Sequence, residues 1–344
     1  MTTAGERFDA LLVLSFGGPE GMDDVRPFLE NVTRGRAVPP ERLDAVVEHY
    51  RHFDGVSPIN ARNRELVADV AGLLDVPVYF GNRNWHPLVE DTVEQMAADG
   101  VRRALVFATS AYGGYSACRQ YDEDIARARA AVGAAAPELV KIRHFFDHPE
   151  FVAANADAVR AAWLPGARLV FTAHSVPVAA DAAAGLPTDG GHRYSGQVAE
   201  AARLVAADLG ETDYDVVWQS RSGPPRVPWL EPDIDDHIDA LHAEGVPAVV
   251  VCPVGFVSDH LEVVWDLDTQ AREHAERLGI GFARAATAGA DARFAGMVVE
   301  LVREHTDGIP PRSLGEVPSA GCSVDGEPCA PDCCRPTLRP TRAA

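Results

Sequence analysis

The residues best suited to chemistry are one histidine and three carboxylates in the second half of the chain. His174 follows directly on a short apolar run, and so does a segment that carries Asp259, Glu262 and Asp266. The carboxylates are spaced i, i+3 and i+7, which predicts that they share one face of a helix. Two ordinary explanations are open: an acidic helix face is usually solvated, and a lone histidine usually belongs to the core. Because the segment is flanked by apolar residues and a buried carboxylate needs a partner or a metal ion, we interpret the set as a candidate divalent-metal site.

Four of the six cysteines lie close together near the C-terminus, and two lie in the globular part of the chain. The tail cysteines are Cys322, Cys329, Cys333 and Cys334, and the others are Cys118 and Cys252. A secreted disulfide framework would distribute its cysteines through a small domain that lacks a large core. The clustering in a segment rich in Pro, Gly and Asp therefore favours a metal or iron–sulfur site. The alternative is a disordered tail whose thiols have no function.

Aromatic and hydroxyl side chains in the first half predict a large, flat organic ligand. Phe16 occupies the position that His174 has in the second half, and Tyr50, Ser57 and the loop 110–121 offer further contacts. Five arginines crowd one stretch of an otherwise acidic chain, as a ligand with several carboxylates would require. They are Arg26, Arg34, Arg36, Arg42 and Arg51. Ordinary surface arginines are the alternative explanation.

Short apolar runs alternate with amphipathic segments, which predicts parallel sheets covered by helices. The predicted strands are residues 10–15, 76–80, 104–108, 168–172, 216–219 and 247–253, and the clearest helices are 87–100 and 232–245. Residues 11–19 match residues 169–177, and 85–112 match 229–256, so we expect two similar α/β units. The predicted fold is two Rossmann-like domains, residues 1–145 and 146–310, with the ligand cleft between them and a cysteine-rich tail over 311–344.

The composition excludes several classes of function. The chain has 344 residues and a formal net charge of −20, and such an acidic surface repels the phosphates of nucleic acids. The N-terminal residues lack the basic and then apolar layout of a signal peptide. The longest apolar run is shorter than the roughly 18 residues that a membrane helix needs. We therefore expect a cytoplasmic protein that does not insert into membranes.

Several segments resemble the ferrochelatases, a family of enzymes that insert iron into porphyrins. They include LLVLSFGGP, GVSPIN, FDHPEF, TAHSVP, WQSRSGPPRVPWLEPD and PVGFVSDHLEVVWDLD, and the resemblance covers residues 10–305. It implies that His174 and Glu262 face the metal and act in catalysis. The implied porphyrin contacts are Phe16, Ser57 and Tyr121, and Tyr50 is retained. Two positions depart from some soluble relatives, because this chain has Phe16 where they have tyrosine and His49 where they have arginine.

The resemblance also implies a substrate and a cofactor. Membrane-associated relatives that use protoporphyrin IX have an apolar lip where residues 18–56 of this chain are polar and charged. The chain is therefore similar to the branch that inserts Fe²⁺ into coproporphyrin III, a porphyrin with four propionates, and releases two protons. The tail resembles that of actinobacterial members that hold a [2Fe–2S] cluster. The implied cluster ligands are Cys118, Cys322, Cys329 and one of Cys333 and Cys334, the other being spare.

Other functions fit the same residues. A protoporphyrin IX ferrochelatase, or a chelatase that inserts cobalt or nickel into another tetrapyrrole, would share the fold and the histidine–glutamate pair. The alternative that is not an enzyme is a haem-binding protein or an iron–sulfur redox sensor without turnover. We expect a monomer whose partners are the porphyrin and Fe²⁺, with transient contacts to neighbouring enzymes of haem synthesis.

Overall fold

The first half of the chain forms a parallel sheet covered by helices. The computed structural model describes residues 7–35, 38–223, 226–316, 330 and 332–336. The strands of the first half are β1 (Ala10–Ser15), β2 (Val78–Asn82), β3 (Arg103–Ala108) and β4 (Glu138–Lys141), in the order β2-β1-β3-β4. The helices are α1 (Met22–Val32), α2 (Pro40–Arg51), α3 (Ile59–Ala71), α4 (Val89–Ala98) and α5 (Gln120–Val132), with a π-helical turn at Tyr115–Arg119 and a 3₁₀ turn at Gly133–Ala135.

The second half repeats this plan with a second parallel sheet. Its strands are β5 (Ala167–His174), β6 (Tyr214–Gln219), β7 (Ala248–Cys252) and β8 (Gly281–Arg284), in the order β6-β5-β7-β8. Its helices are α6 (Pro149–Ala162), α7 (Val178–Ala182), α8 (Arg193–Leu209), α9 (Ile234–Ala243), α10 (Leu261–Val263), α11 (Arg272–Leu278) and α12 (Arg293–Thr306). A π-helical segment, Val264–Ala271, joins α10 to α11, and 3₁₀ turns lie at Pro187–Asp189 and Ala288–Ala290.

One continuous apolar core joins the two sheets. In β1, Leu11 and Val13 face this core, whereas Ala10, Leu12 and Leu14 face a separate cluster beneath α4 and α5. This alternation follows from the two-residue period of a strand. The shared core continues through Phe171 of β5 and the aromatic side chains of α6 and α12. The last helix, α12, packs against α3 of the first half as well as against α6. The carboxyl ends of the strands in the two sheets are therefore held at a fixed position relative to each other.

The fold class predicted from the sequence is confirmed, but two strands were missed and the bounds of most others shift by one or two residues. The predicted strand 76–80 is β2, which starts at Val78. The missed strands, β4 and β8, have four residues each and lie at sheet edges. Their charged and half-exposed residues hide the apolar signal that marks a central strand. We propose that the boundary between the two domains lies near residue 145, in the connection between β4 and α6.

The ends of two helices show common capping features. Asp233 caps α9, because its side chain accepts a hydrogen bond of 3.1 Å from the Asp235 backbone nitrogen. Gly100 follows α4 with a left-handed φ of +83°, a conformation that glycine adopts without strain. Among the described residues, no helix has the length and apolar character that crossing a bilayer requires.

Candidate active site

His174 is the last residue of β5, and hydrogen bonds hold it at the carboxyl end of the second sheet. Its Nδ1 atom lies 2.5 Å from the backbone oxygen of Ser175, so Nδ1 must carry the proton that this carbonyl accepts. The Nε2 lone pair is then available for a proton or a metal ion. The Tyr194 hydroxyl donates a hydrogen bond of 2.9 Å to the backbone oxygen of His174. Both the ring and the backbone of His174 are thus fixed.

Glu262 faces His174 from the short helix α10. Its Oε2 atom lies 3.6 Å from Nε2 of His174, and the two side chains keep 44% and 35% of their surface exposed. This distance is too long for a hydrogen bond. Two donor atoms so placed can, however, both bind one metal ion at about 2.1 Å. Leu261, whose backbone nitrogen donates a 3.2 Å hydrogen bond to Ser57 Oγ, anchors the segment to the first half of the chain.

The titratable groups around this pair have shifted pKa values. Burial raises the pKa of Glu262 well above the usual range of a glutamate. Burial and the charge of Glu262 raise the pKa of Asp266, although Ser220 Oγ donates a hydrogen bond to its carboxylate. Burial lowers the pKa of His174. Near neutral pH the imidazole is therefore neutral, and the two neighbouring carboxyl groups can share a proton. The site can accept protons and bind a cation at the same place.

The prediction that three carboxylates share one helix face is wrong. The residue before α10, His260, is extended, so the helix begins only at Leu261 and Asp259 lies outside it. Arg284 neutralises Asp259 by two contacts of 3.0 and 3.2 Å. Asp266 does reach the site, because it lies in the π-helical segment, a wider turn that is frequent at functional sites.

The four residues predicted to contact a porphyrin lie at different depths in the first half. Phe16 follows β1 and is 37% exposed. Ser57 and Tyr50 are buried beside the segment that carries Glu262, and the charge of Glu262 contributes to the raised pKa of the Tyr50 phenol. Tyr121 is buried as well. The structure thus brings Ser57 and Tyr50 close to the candidate metal site and leaves Phe16 as an open aromatic surface.

Arg83 lies behind Phe16 and Tyr121, and the sequence reasoning missed it. Its guanidinium carbon is 4.2 Å from the centroid of the Tyr121 ring and 6.0 Å from that of Phe16. Asp124 pairs with the guanidinium at 2.5 Å in a buried environment. Arg83 follows β2 directly, so a search of every strand end could have found it. Tyr194, which holds the His174 carbonyl, was also missed, and so was His260, whose pKa is lowered by burial and by the nearby His174.

The arginines predicted to bind carboxylates lie on the surface of the α1–α2 region. Arg26, Arg34, Arg42 and Arg51 are exposed, whereas Arg36 lies outside the described residues. Arg26 pairs with Asp44 and Arg51 with Glu48. Such exposed pairs are weak and can exchange for another carboxylate.

A second group of chemically active side chains surrounds Cys118. This cysteine is buried in the π-helical turn Tyr115–Arg119, and its Sγ lies 3.1 Å from Nζ of Lys141. Lys141 also contacts Asp122 at 2.7 Å. Cys252 is elsewhere, buried near Asn155, and burial raises the pKa of its thiol. Cys322 and Cys329 lie outside the described residues.

The described part of the tail docks beside this turn. Cys333 and Cys334 are buried with their Sγ atoms 3.7 Å apart. Gly185 donates its N–H to Cys334 Sγ at 3.1 Å and accepts the Cys334 N–H at 2.9 Å. Hydrogen bonds from Cys333 and from backbone N–H groups lower the pKa of Cys334. Arg119 donates a 3.0 Å hydrogen bond to the Ala330 carbonyl, so the tail is bound next to Cys118. Over the described residues alone, no group of three or more Cys, His, Asp or Glu side chains is placed to hold a metal ion.

Comparisons with known proteins give the same family over nearly the whole chain. A family model described as Ferrochelatase matches residues 8–306. The chain is 66% identical to the coproporphyrin III ferrochelatase of Nocardia farcinica, over 97% of this chain and 99% of that protein. It is 61% identical to the protein of the same name from Mycobacteroides abscessus, over 95% and 98% of the two chains. Among solved structures, the sirohydrochlorin chelatase SirB from Bacillus subtilis with cobalt has the same fold, with a TM-score of 0.55 at 11% identity over 88% of this chain and 97% of that chain.

Proposed function

Because this chain belongs to the ferrochelatase family, we propose that it inserts Fe²⁺ into coproporphyrin III and releases two protons, as a metal chelatase of haem synthesis. The observation that carries the proposal is the facing pair His174 and Glu262, whose Nε2 and Oε2 atoms lie 3.6 Å apart. The relatives named coproporphyrin III ferrochelatase, at 61–66% identity, support the choice of substrate.

Metal insertion requires a base, because two pyrrole N–H protons must leave the porphyrin. His174 can accept one proton at Nε2, since its Nδ1 proton is held by the Ser175 carbonyl. Glu262 can accept the other when it is ionised, and its raised pKa makes it a stronger base than an ordinary carboxylate. The charge of Asp266 stabilises the imidazolium that forms. The same two donor atoms can guide Fe²⁺ before they take up protons.

The first half of the chain supplies the surface for the macrocycle in this proposal. Phe16 offers an open aromatic face, and its neighbour Phe28 contacts both Phe16 and Tyr50. Ser57 connects this surface to the Glu262 segment through Leu261. A planar ring must tilt or buckle before a metal enters, and two rigid halves can impose that distortion through contacts remote from the metal.

Anaerobic mixing of the protein with Fe²⁺ and porphyrin tests the function directly. An enzyme forms many equivalents of iron porphyrin per chain, as followed by the visible spectrum. A haem-binding or redox-sensing protein would give one equivalent at most. Parallel reactions with Co²⁺ and Ni²⁺ test the other chelatases, because the ligand types alone do not fix the metal.

Coproporphyrin III is expected to react better than protoporphyrin IX. The exposed arginines near α1 and α2 can pair with propionates, and protoporphyrin IX has two propionates fewer. Two exposed charge pairs at up to about 1 kcal/mol each correspond to a kcat/KM up to about 30-fold lower for protoporphyrin IX. The measurement is the initial rate with each porphyrin over a range of concentrations. Equal kcat/KM values would contradict the prediction.

The rate of metal insertion is expected to rise with pH through the neutral range. The pKa of His174 is lowered, so the imidazole is already neutral there, whereas the raised pKa values of Glu262 and Asp266 keep the carboxyl pair partly protonated. Replacing Asp266 with asparagine removes a negative neighbour of Glu262 and should move the rising limb of kcat/KM to lower pH. A rising limb that stays in place would show that another group controls it.

We propose further that Cys118 and the tail hold a [2Fe–2S] cluster. Four thiolates are the usual ligands of such a cluster. Cys118 and one of the adjacent thiols Cys333 and Cys334 would be two of them, because all three are buried and the tail docks next to the turn that carries Cys118. N–H groups directed at Cys334 Sγ and the ammonium group beside Cys118 would stabilise thiolates. When bound, the cluster supplies a covalent anchor for the tail.

The remaining ligands in this proposal come from Cys322 and Cys329. A reducing compartment such as the cytoplasm suits the site, since thiolate ligands that are oxidised to disulfides cannot bind iron.

A further inference from the structure

The helices α1 and α2 form a compact unit whose two ends join the rest of the first half at the same place. Glu20 and Val56 form an isolated antiparallel bridge at its base. A Cβ atom on Gly55 would lie 2.4 Å from the Met22 nitrogen, so the two ends of the unit are in direct contact. The unit contributes most of a small apolar cluster, which includes Phe28 and Tyr50 and extends to Leu261 of the second half. It is therefore fixed at its base and packs against the segment that carries Glu262.

Two neighbouring residues of α2 contact the second half of the chain. The ring of His49 stacks on Trp265 with 4.1 Å between centroids and 11° between planes. Tyr50 packs in the same apolar cluster as Leu261. Leu261 and Trp265 lie on either side of Glu262, and Asp266 follows Trp265. The two contacts of α2 thus bracket the carboxylate that faces His174.

Two residues after α2, His52 and Phe53, also contact the indole of Trp265, but edge-on, with ring centroids 5.7 and 6.4 Å away. A cleft of about 460 Å³, open to solvent, lies between the residues after α2, including His52, Phe53 and Val56, and the residues Leu261 and Val264 of the second half. Close packing normally fixes the relation between two elements. Beside this open cleft, that relation depends on the ring contacts with Trp265, and of the three rings described there only His49 lies flat on the indole.

We propose that His49 is a positioning residue for metal insertion, which stacks on Trp265 and thereby holds the π-helical segment so that Glu262 stays opposite His174. The inference rests on the proposed function for the reaction concerned. His49 lies against the indole and has no described contact with His174 or Glu262, so it acts through Trp265. The stack needs a flat ring at position 49, and an aliphatic side chain cannot replace it.

Three variants of α2 separate stacking from other roles of His49. His49→Ala removes the ring, His49→Phe keeps a flat ring without the imidazole nitrogens, and Glu41→Ala changes an exposed side chain at the start of α2. The readouts are kcat and KM with coproporphyrin III, coproporphyrin binding without metal, and the near-ultraviolet circular dichroism of the aromatic residues. A Trp265→Phe protein identifies the part of that spectrum due to Trp265.

We expect His49→Ala to lose the Trp265 signal and to lower kcat about three- to tenfold, the range that an aromatic pair can supply. His49→Phe should keep kcat within about twofold of the wild type, as a stacked ring is retained, and Glu41→Ala should match the wild type. If His49→Ala folds poorly, His49→Gln, which also lacks a ring, should show the same loss.

Two results would overturn the proposal. One is a His49→Ala protein that loses the Trp265 signal and keeps wild-type kcat and KM. The other is a His49→Phe protein as impaired as His49→Ala, since the imidazole nitrogens and not the ring would then matter. Failure of the proposed function can be distinguished from failure of the His49 proposal. In the first case the wild type itself would form no iron porphyrin, while the circular dichroism of Trp265 would still report the stack.

Discussion

Replacement of His174 by alanine is expected to abolish metal insertion and to leave coproporphyrin binding within about tenfold of the wild type, because a base acts on the transition state more than on the bound substrate. Loss of a general base alone lowers kcat about 10²- to 10⁴-fold. His174 also supplies one of the two facing donor atoms, since its Nε2 lies 3.6 Å from Glu262 Oε2. Anaerobic formation of iron coproporphyrin measures kcat, and an absorbance titration without metal measures binding.

A surface histidine provides the matched control for this experiment. His242 is exposed near the end of α9, and His242→Ala should keep wild-type activity. Glu262→Gln should resemble His174→Ala, because the amide keeps the shape of the side chain but neither accepts a proton at neutral pH nor carries the charge that attracts the cation. Near-normal kcat in His174→Ala would show that the catalytic assignment is wrong.

The sequence predicted the parts of the molecule that depend on strong local patterns. Central strands such as β1 and β7 are unbroken apolar runs, and the helices α4 and α9 carry clear apolar stripes. The internal repeat correctly indicated two similar sheets. The rule that ligand residues follow parallel strands led to His174 at the end of β5. The pairing of His174 with Glu262 came from this placement together with the family resemblance.

The remaining features depend on contacts between distant parts of the chain. Helical spacing grouped Asp259 with Glu262, but Arg284, 25 residues further on, binds Asp259 instead. The start of α10 and the π-helical segment after it cannot be predicted from residue spacing, because that spacing assumes a regular α-helix. Likewise, the stack of His49 on Trp265 joins residues from opposite halves, and only the packed structure brings them together.

Replacement of Cys118 by serine is expected to remove the brown colour and both cluster irons of the purified protein. Cys118 lies in the body of the protein, and the tail thiols dock beside its turn. Loss of this ligand should also destabilise the fold, because metal binding to the native state contributes to folding. A loss of about 2 kcal/mol would lower Tm by roughly 4–8 °C for a domain of this size. Iron content, the visible spectrum and a thermal melt measure these effects.

Comparison of Cys333→Ser with Cys334→Ser identifies the ligand among the two adjacent thiols. Gly185 donates its N–H to Cys334 Sγ at 3.1 Å, and the pKa of this thiol is lowered, so Cys334→Ser is expected to lose the cluster and Cys333→Ser to keep it. Cys252→Ser is the control, since that thiol lies apart, next to Asn155. A Cys118→Ser protein with its full colour and both irons would mean that the tail cysteines bind the cluster alone. The tail would then be attached to the body only by hydrogen bonds such as those of Gly185 and Arg119, and loss of the cluster should leave Tm unchanged.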